Sequence, residues 1–527
     1  MKRWILRLTA ALAVLAAAAS ATTASAQVTT GSIRGLVTDN ENRPLEGARI
    51  TAIHLPSGTQ YIGATRADGR FNIPGMRVGG PYQVSAAMIG FARQSRDDIQ
   101  VALGSAADLV FKMDAVATQL NAVTVTSEGG ELSSTRTGAA TSIRQEQLAT
   151  LPTISRRLSD FTRLTPQASG NSFAGQDNRL NNITVDGANF NNSFGLGGQP
   201  GDRTGVAPIS LDAIEAVQVN IAPYDVRQSG FTGAAVNTVT RSGTNEFSGS
   251  IYYNVRDQDY VGRQAGRSTF NPGTFSFDQI GVRLGGPILK DKLFFFVSYE
   301  TDENEGPGNT FLPRNSTAET ATGNITRVLR SDLDSLSSFL FNRFGYVTGP
   351  YEGYPGLTPS NRLTTRVDFA LSQRNKFSFR YTNLGSETDV LVSTSSSLTN
   401  GLIGRTRNQA MSYANSNYTI LENIDSYAAE WNSLLTDRLS NQLIVTYTKQ
   451  DESRGPISNL FPFVDILAGD ISAADNSVYM SFGSEPFTPN NELRYKNLQV
   501  QNNFTRFGNR HDLTLGIAYE RYESENV

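Results

Sequence analysis

From residue 245 onward the chain alternates. Phe247, Gly249, Ile251, Tyr253 and Val255 share one face of an extended segment, and Ile280, Val282 and Leu284 share one face of the next. The pattern returns at Leu293, Phe295, Val297 and Tyr299 and at Leu363, Thr365, Val367, Phe369 and Leu371. A fifth segment sets Phe377, Phe379 and Tyr381 against Lys376, Ser378 and Arg380. Tyr427, Ala429 and Trp431 mark a sixth, Leu443, Val445 and Tyr447 a seventh, and Leu498, Val500 and Phe504 an eighth. In the ninth, Leu513, Leu515, Ile517 and Tyr519 alternate with Asp512, Thr514, Gly516, Ala518 and Glu520. A period of two predicts strands with one apolar and one polar face. Repeated segments of about ten residues with that pattern are the sequence signature of a transmembrane β-barrel.

A secreted sandwich also alternates, and the connections separate the two readings. Short turns at 286–291, 372–375, 437–438 and 506–510 take turns with long polar connections at 301–361, 384–422 and 451–491. Outer-membrane barrels have short turns on one side and long loops on the other, whereas a compact soluble domain rarely carries several unstructured loops of such length. Nine is an odd count. Single-chain bacterial barrels close with even counts, and plugged ones with about 22 strands. The expectation is that these strands are the first part of a larger barrel and the chain the N-terminal fragment of a longer one.

The first 244 residues have a different rhythm. In 27–117 short strands at 32–38, 48–53, 71–73, 82–88 and 107–113 are punctuated every eight to twelve residues, with Asp68-Gly69 a strong hairpin signal. That spacing predicts a small β-sandwich. Residues 118–140 read as a polar linker around one β-prone run, Leu120, Asn121, Ala122, Val123, Thr124, Val125 and Thr126, suited to joining the edge of a partner's sheet. In 141–244 helices are expected at 142–151, stopped by Pro152, and at 156–164, with strands at 183–187, 214–219 and 234–240, an α+β unit.

Composition then narrows the function classes. Lys2 and Arg3, an apolar run at 8–19 and Ala24-Ser25-Ala26 make residues 1–26 a signal peptide. No later run approaches the 18 or so apolar residues of a membrane helix. The chain has no Cys and two His, His54 and His511, far apart in sequence. Disulfides, thiol catalysis and Cys metal sites are excluded, and a His-based triad or zinc site is not expected. A net charge of −3 does not point to nucleic acid. Acidic pairs such as Asp302-Glu303 and Asp451-Glu452 read as solvated, and nothing places a nucleophile beside a base. No enzyme, cofactor or metal is expected.

Several spaced motifs carry family resemblances. Gly35-Leu36-Val37-Thr38-Asp39, Pro44-Leu45-Glu46-Gly47-Ala48, Asp68-Gly69-Arg70-Phe71, Tyr82-Gln83-Val84 and Gly90-Phe91 resemble the carboxypeptidase regulatory-like domain, a non-catalytic prealbumin-like (Ig-like) sandwich. Leu180-Asn181-Asn182-Ile183-Thr184-Val185-Asp186-Gly187, Ile214-Glu215-Ala216-Val217-Gln218-Val219 and the run from Gly233 through Asn237, Thr240, Arg241 and Gly243 to Thr244 and Asn245 resemble the plug of TonB-dependent receptors. Arg241 stands where that family commonly has Lys. Residues 120–126 resemble the TonB box. Gly285-Gly286-Pro287-Ile288-Leu289-Lys290-Asp291-Lys292-Leu293-Phe294-Phe295-Phe296 resembles an early barrel hairpin of the Oar-like branch of that family.

These resemblances imply a mainly β outer-membrane protein in five parts: signal peptide, sandwich, linker, plug (141–244) and partial barrel (245–527). They imply plug-gated uptake powered by a TonB-type inner-membrane protein, with outer-membrane lipid around the barrel and an extracellular solute or macromolecule as ligand. The alternative they leave open is an Oar-like adhesion or export-related surface protein.

Overall fold

The computed structural model describes residues 28–115, 139–153, 156–191, 199–221, 225–228, 230–269, 273–394, 405–469, 477–488 and 491–527. Residues 1–26, read from the sequence as a signal peptide, and the TonB-box-like residues 120–126 lie outside them.

Seven strands build the N-terminal sandwich: β1 (Gly31–Asp39), β2 (Arg49–His54), β3 (Thr59–Ala64), β4 (Arg70–Met76), β5 (Gly79–Ala87), β6 (Gln94–Val101) and β7 (Ala106–Met113). They form two sheets, ordered β4-β1-β7 and β3-β2-β5-β6. Inward positions from both sheets, among them Ile33, Ile50, Phe71, Tyr82, Val84 and Phe111, make one apolar core. β3 and β6 are additional to the strands expected from the sequence. β6 reads QSRDDIQV and directs only Ile99 and Val101 deep into the core, so its pairing with β5 rather than its own pattern makes it a strand.

The next unit is a five-stranded sheet of β8 (Ala139–Arg144), β9 (Asn182–Val185), β10 (Ala188–Asn189), β11 (Ile214–Ile221) and β12 (Ala234–Thr240), in the order β10-β9-β12-β11-β8. All seven residues of β12 are buried. The helix expected at 142–151 is corrected here. Residues 142–144 extend β8, where Ile143 pairs with Val217, and the helix α1 spans Gln145–Thr150 only. Burying Ile143 on the sheet outweighs the local helical pattern. The second helix, α2, is likewise short, Ser159–Thr162.

Nine strands then follow in sequence order as one antiparallel meander: β13 (Ser248–Asp257), β14 (Ser276–Leu289), β15 (Leu293–Pro307), β16 (Pro355–Phe369), β17 (Asn375–Val390), β18 (Tyr418–Thr436), β19 (Leu439–Asp451), β20 (Leu493–Phe507) and β21 (Asp512–Asn526). These are the nine expected from alternation. Their amphipathicity is inverted. Apolar side chains face outward, with Ile251 75% and Val282 46% exposed, while Gln279, Ser298, Arg362, Arg380 and Thr382 on the opposite face are buried. This is how a wall behaves with hydrocarbon outside and protein inside. Among the described residues β13 and β21 pair only on their inner sides, so the sheet is an arc, and the plug sheet packs into its concave face.

Among the described residues the long connections carry regular structure, unlike the structureless loops the sequence suggests. The strands run well into them, and β18 alone has 19 residues. Segments Leu312–Arg314, Ile325–Leu329, Met411–Ser412, Val464–Leu467 and Val478–Phe482 form two small sheets beside a helix, α3 (Arg330–Phe344). Val328, Leu333, Leu340, Tyr346, Met411, Tyr413, Met480 and Phe482, drawn from all three connections, share one core. The α3 helix ends at Gly345, whose φ of 67° is the left-handed cap that glycine favours.

Candidate functional site at the seam of plug, wall and sandwich

The plug meets the wall through charge. β9 turns into β10 at Asp186-Gly187, both with positive φ (44° and 81°), as a tight two-residue hairpin requires. That turn aims the Asp186 carboxylate two ways. Within the plug it accepts from the Thr240 amide at 3.0 Å and the Thr240 hydroxyl at 2.5 Å. From the wall it receives Arg366 Nη1 of β16 at 3.0 Å and lies 3.3 Å from Arg380 Nε of β17. Arg366 also holds Asp368 at 2.9 Å, and Arg380 Nη2 donates to the Val185 carbonyl at 3.1 Å. Two carboxylates thus balance two guanidinium groups, and Arg380 is 1% exposed. A buried arrangement of this kind holds only while every member stays paired.

A second set of contacts grips the plug loop between residues 199 and 213. Glu422 of β18 accepts from the Thr204 amide at 3.2 Å, the Thr204 hydroxyl at 3.1 Å and the Gly201 amide. Glu300 of β15 takes the Ser210 hydroxyl at 3.0 Å, Tyr252 and Arg362, and Arg362 donates to the Ala207 carbonyl at 3.2 Å. Asp212 pairs with Arg283 of β14 at 2.8 Å. Burial pushes the Asp202 carboxyl of this loop up, against the Gln199 amide that donates to it at 2.7 Å. The wall's apolar share of the joint core is small: Phe296, Leu384, Ile424 and Ala428. Hydrogen bonds with a charged partner, as most here have, contribute a net ~1.5–3 kcal/mol each, because water replaces them when they break. A polar seam can therefore be exchanged for water far more cheaply than an apolar core can be opened.

The third element is the junction after β12. An added Cβ on Gly243 would overlap the carbonyl oxygens of Phe295 and Gly286, so the chain passes against the wall where only glycine fits. Arg77 of the sandwich donates to the Ser242 carbonyl at 3.0 Å and the Gly243 carbonyl at 2.9 Å. The Thr244 hydroxyl donates to the Glu246 carbonyl at 2.9 Å. Asn245 donates its amide to Pro56 of the sandwich at 2.9 Å and its side chain to Asp291 at 2.7 Å. Val28, Val78 and Leu103 of the sandwich pack against Ala216 and Val239 of the plug. Gln60 meets Gln373 at 2.9 Å and Asn72 meets Asp512 at 3.5 Å. The sandwich thus docks on the short turns, at the end opposite the long connections.

The residues singled out in the sequence have distinct places. Asp186, Gly187 and Thr240 form the clamp, and Gly243, Thr244 and Asn245 the junction. Gly233 and Asn237 serve the plug internally. A Cβ on Gly233 would strike the Asn181 side chain, which caps the Ala234 amide, and Asn237 accepts from the Thr184 hydroxyl at 3.0 Å. Residues 120–126 lie outside the described residues. Sequence reasoning missed the wall's half of the seam: Arg362, Arg366, Arg380, Glu300 and Glu422. Their signal was charge on the polar face of strands whose other face is apolar. Among the described residues no group of three or more His, Cys, Asp or Glu is placed to hold a metal ion.

Comparisons with known proteins agree with this architecture. A family model described as an outer membrane beta barrel domain matches residues 239–527, and one described as a carboxypeptidase regulatory-like domain matches residues 32–114. The TonB-dependent transporter Oar of Myxococcus xanthus is 30% identical over 157 residues, 27% of this chain and 14% of Oar. A probable TonB-dependent siderophore receptor PirA of Acinetobacter baumannii is 29% identical over 202 residues, 33% of this chain and 25% of PirA. The solved outer membrane transporter YddB of Escherichia coli aligns with a TM-score of 0.50 and 11% identity over 73% of this chain and 48% of YddB, a likeness of fold. The chain spans less than half the length of each of these relatives.

Proposed function

The chain belongs to the outer membrane beta barrel domain family, and from that premise we propose that it supplies the accessory domain, plug and first wall strands of a receptor for energy-coupled uptake. In this reading the long connections bind an extracellular solute. A TonB-type protein of the inner membrane pairs with residues 120–126 by strand addition, and its pull loosens the plug from the wall. The observation that carries the reading is the seam itself. The plug is held by charge pairs and hydrogen bonds to the polar face of the wall, Asp186 to Arg366 and Arg380 above all. A permanent structural core is built from apolar contacts, whereas this interface re-solvates as it opens. Deleting residues 120–126 is expected to abolish uptake and leave membrane insertion intact. Uptake at the undeleted rate refutes the proposal.

A second reading, a surface protein binding a macromolecule, draws support from the core that the described parts of the long connections share. Phe339, Phe341, Phe344 and Leu460 stand exposed on them. Ligand binding that persists without energy-dependent accumulation favours this reading over uptake.

A further inference from the structure

Away from the seam, the sandwich and the short turn between β20 and β21 enclose a cleft of about 440 Å³. Arg34, Arg66 and Arg70 line it from the sandwich, Arg510 and His511 from the turn. Two carboxylates also line it. Asp108 is engaged by Arg34 at 2.5 Å, and Asp512 accepts from Asn72 at 3.5 Å, tying the two walls together. With Asp68 beside Arg66 and Arg70, four guanidinium groups face three acids.

Arg66 is the unusual member. Its side chain is 6% exposed, and neither Nε nor Nη1 has a hydrogen-bond partner in the protein. Its nearest acid, Asp68, is 3.7 Å away and is shared with Arg70 at 3.9 Å. A guanidinium cannot shed its charge in a protein, and burying it with donors unused is costly. Hairpin geometry alone does not account for it. The backbone of Arg66 closes the turn, its amide donating to Arg70 at 2.9 Å, a bond any non-proline residue can make.

The cleft's position narrows what fills it. Immediately after the turn, Leu513, Leu515 and Ile517 of β21 share the face on which Leu515 pairs with Phe504 and Tyr519 with Val500 of β20, the outward apolar face of the wall. The hydrocarbon band thus begins one residue beyond the cleft, which puts Arg510 and His511 at headgroup level on the short-turn, periplasmic side. Guanidinium groups on two walls suit an oxyanion with several acceptors, such as a phosphate, which can take donors from both sides at once.

We propose that this cleft binds a phosphate-bearing anion, with Arg66 supplying positive charge from its buried side and Arg70 and Arg510 donating from its open side. The phosphate belongs either to an inner-leaflet phospholipid headgroup or to a small periplasmic phosphate. The proposal is independent of the uptake reading, since neither the plug nor residues 120–126 take part.

The test uses the full chain in detergent at low salt. Inorganic phosphate is titrated by calorimetry, and retention of phosphatidylglycerol against phosphatidylcholine is read by native mass spectrometry. Wild type is expected to bind at least one anionic probe, with Arg66→Gln and Arg510→Gln each weakening it by about tenfold or more, the loss of one charge or charge-assisted bond. Arg510 is on an exposed turn, so its variant tests the site even if Arg66→Gln disturbs the sandwich. Phosphatidylglycerol retained where inorganic phosphate does not compete assigns a lipid. Phosphate bound without lipid retention assigns a soluble source. No binding of either probe, or both variants binding as wild type does, overturns the proposal.

Discussion

The sandwich and the nine-stranded wall are written in the same alternation and read it in opposite senses. In the sandwich the apolar face of each strand, Ile33 and Phe71 for example, turns toward its own opposing sheet and becomes fully buried. In the wall Ile251, Val282 and Ile517 turn outward, and Arg362, Thr364 and Arg380 are the buried set. Alternation fixes that two faces differ. It does not say which one is inside, because the apolar face goes wherever apolar surroundings are: a facing sheet in one case, lipid in the other. The plug is the counterpart. A wall whose inner face is polar is satisfied by water or by a polar body, and here the plug's Asp186, Thr204, Ser210 and Asp212 take that place.

The comparison can be broken most strongly at the inner face of the wall. Asp186→Ala leaves Arg366 and Arg380 short of a buried counter-charge and is expected to destabilise the docked plug by about 3–5 kcal/mol. Limited proteolysis of the membrane-inserted protein should show earlier cleavage in the plug, with the wall intact. Unchanged plug protection would mean that the charge cluster does not hold the seam.

A smaller effect is expected at the outer face. Val282→Lys puts a charge where lipid is expected and should cost about 2–4 kcal/mol if it lies near the midplane. The loss should appear in folding into vesicles. Lysine tolerated there without change would place this face in water and collapse the contrast with the sandwich.

The most gradual effect, spread over several pH units, sharpens the sandwich side. Burial, aided by the Arg77 charge, holds His54 down at about 2 from its usual 6.5, and the ring meets Ser57 at 2.7 Å and packs on Tyr82. Below pH 6.5 the unfolded chain takes up a proton that the folded sandwich refuses, so stability is full at neutral pH and falls as the solution is acidified. The slope from this group is about 1.4 kcal/mol per pH unit. Thermal melts across pH 4–7 should show a shallower slope for His54→Gln than for wild type. Equal slopes would show that this core does not keep His54 neutral.

Much of the fold was legible because strands announce themselves locally. All nine wall strands carried their own period, and β12 appeared at its observed bounds. The Asp186-Gly187 turn was legible because its backbone conformation favours those two residues. The α3 helix was missed although Leu333, Leu336 and Leu340 have helical spacing, since it sits within a long polar stretch and its core is borrowed. Tyr346 of one connection stacks on Phe461 of another at 4.0 Å, across more than a hundred residues. The seam was half legible. Plug motifs could be read as a run, but their partners Arg366 and Arg380 stood only as polar positions on two strands.

By itself, then, the sequence determined the number and phase of the wall strands, the mainly β character of the parts before them, and the tight turns, because each depends on neighbours within a few residues. Only the tertiary structure decided which wall charges meet Asp186, that three long connections share one core, and that the sandwich sits on the short turns beside an arginine-lined cleft. Those outcomes depend on residues distant along the chain coming within bonding distance, and a one-dimensional pattern holds no record of that geometry.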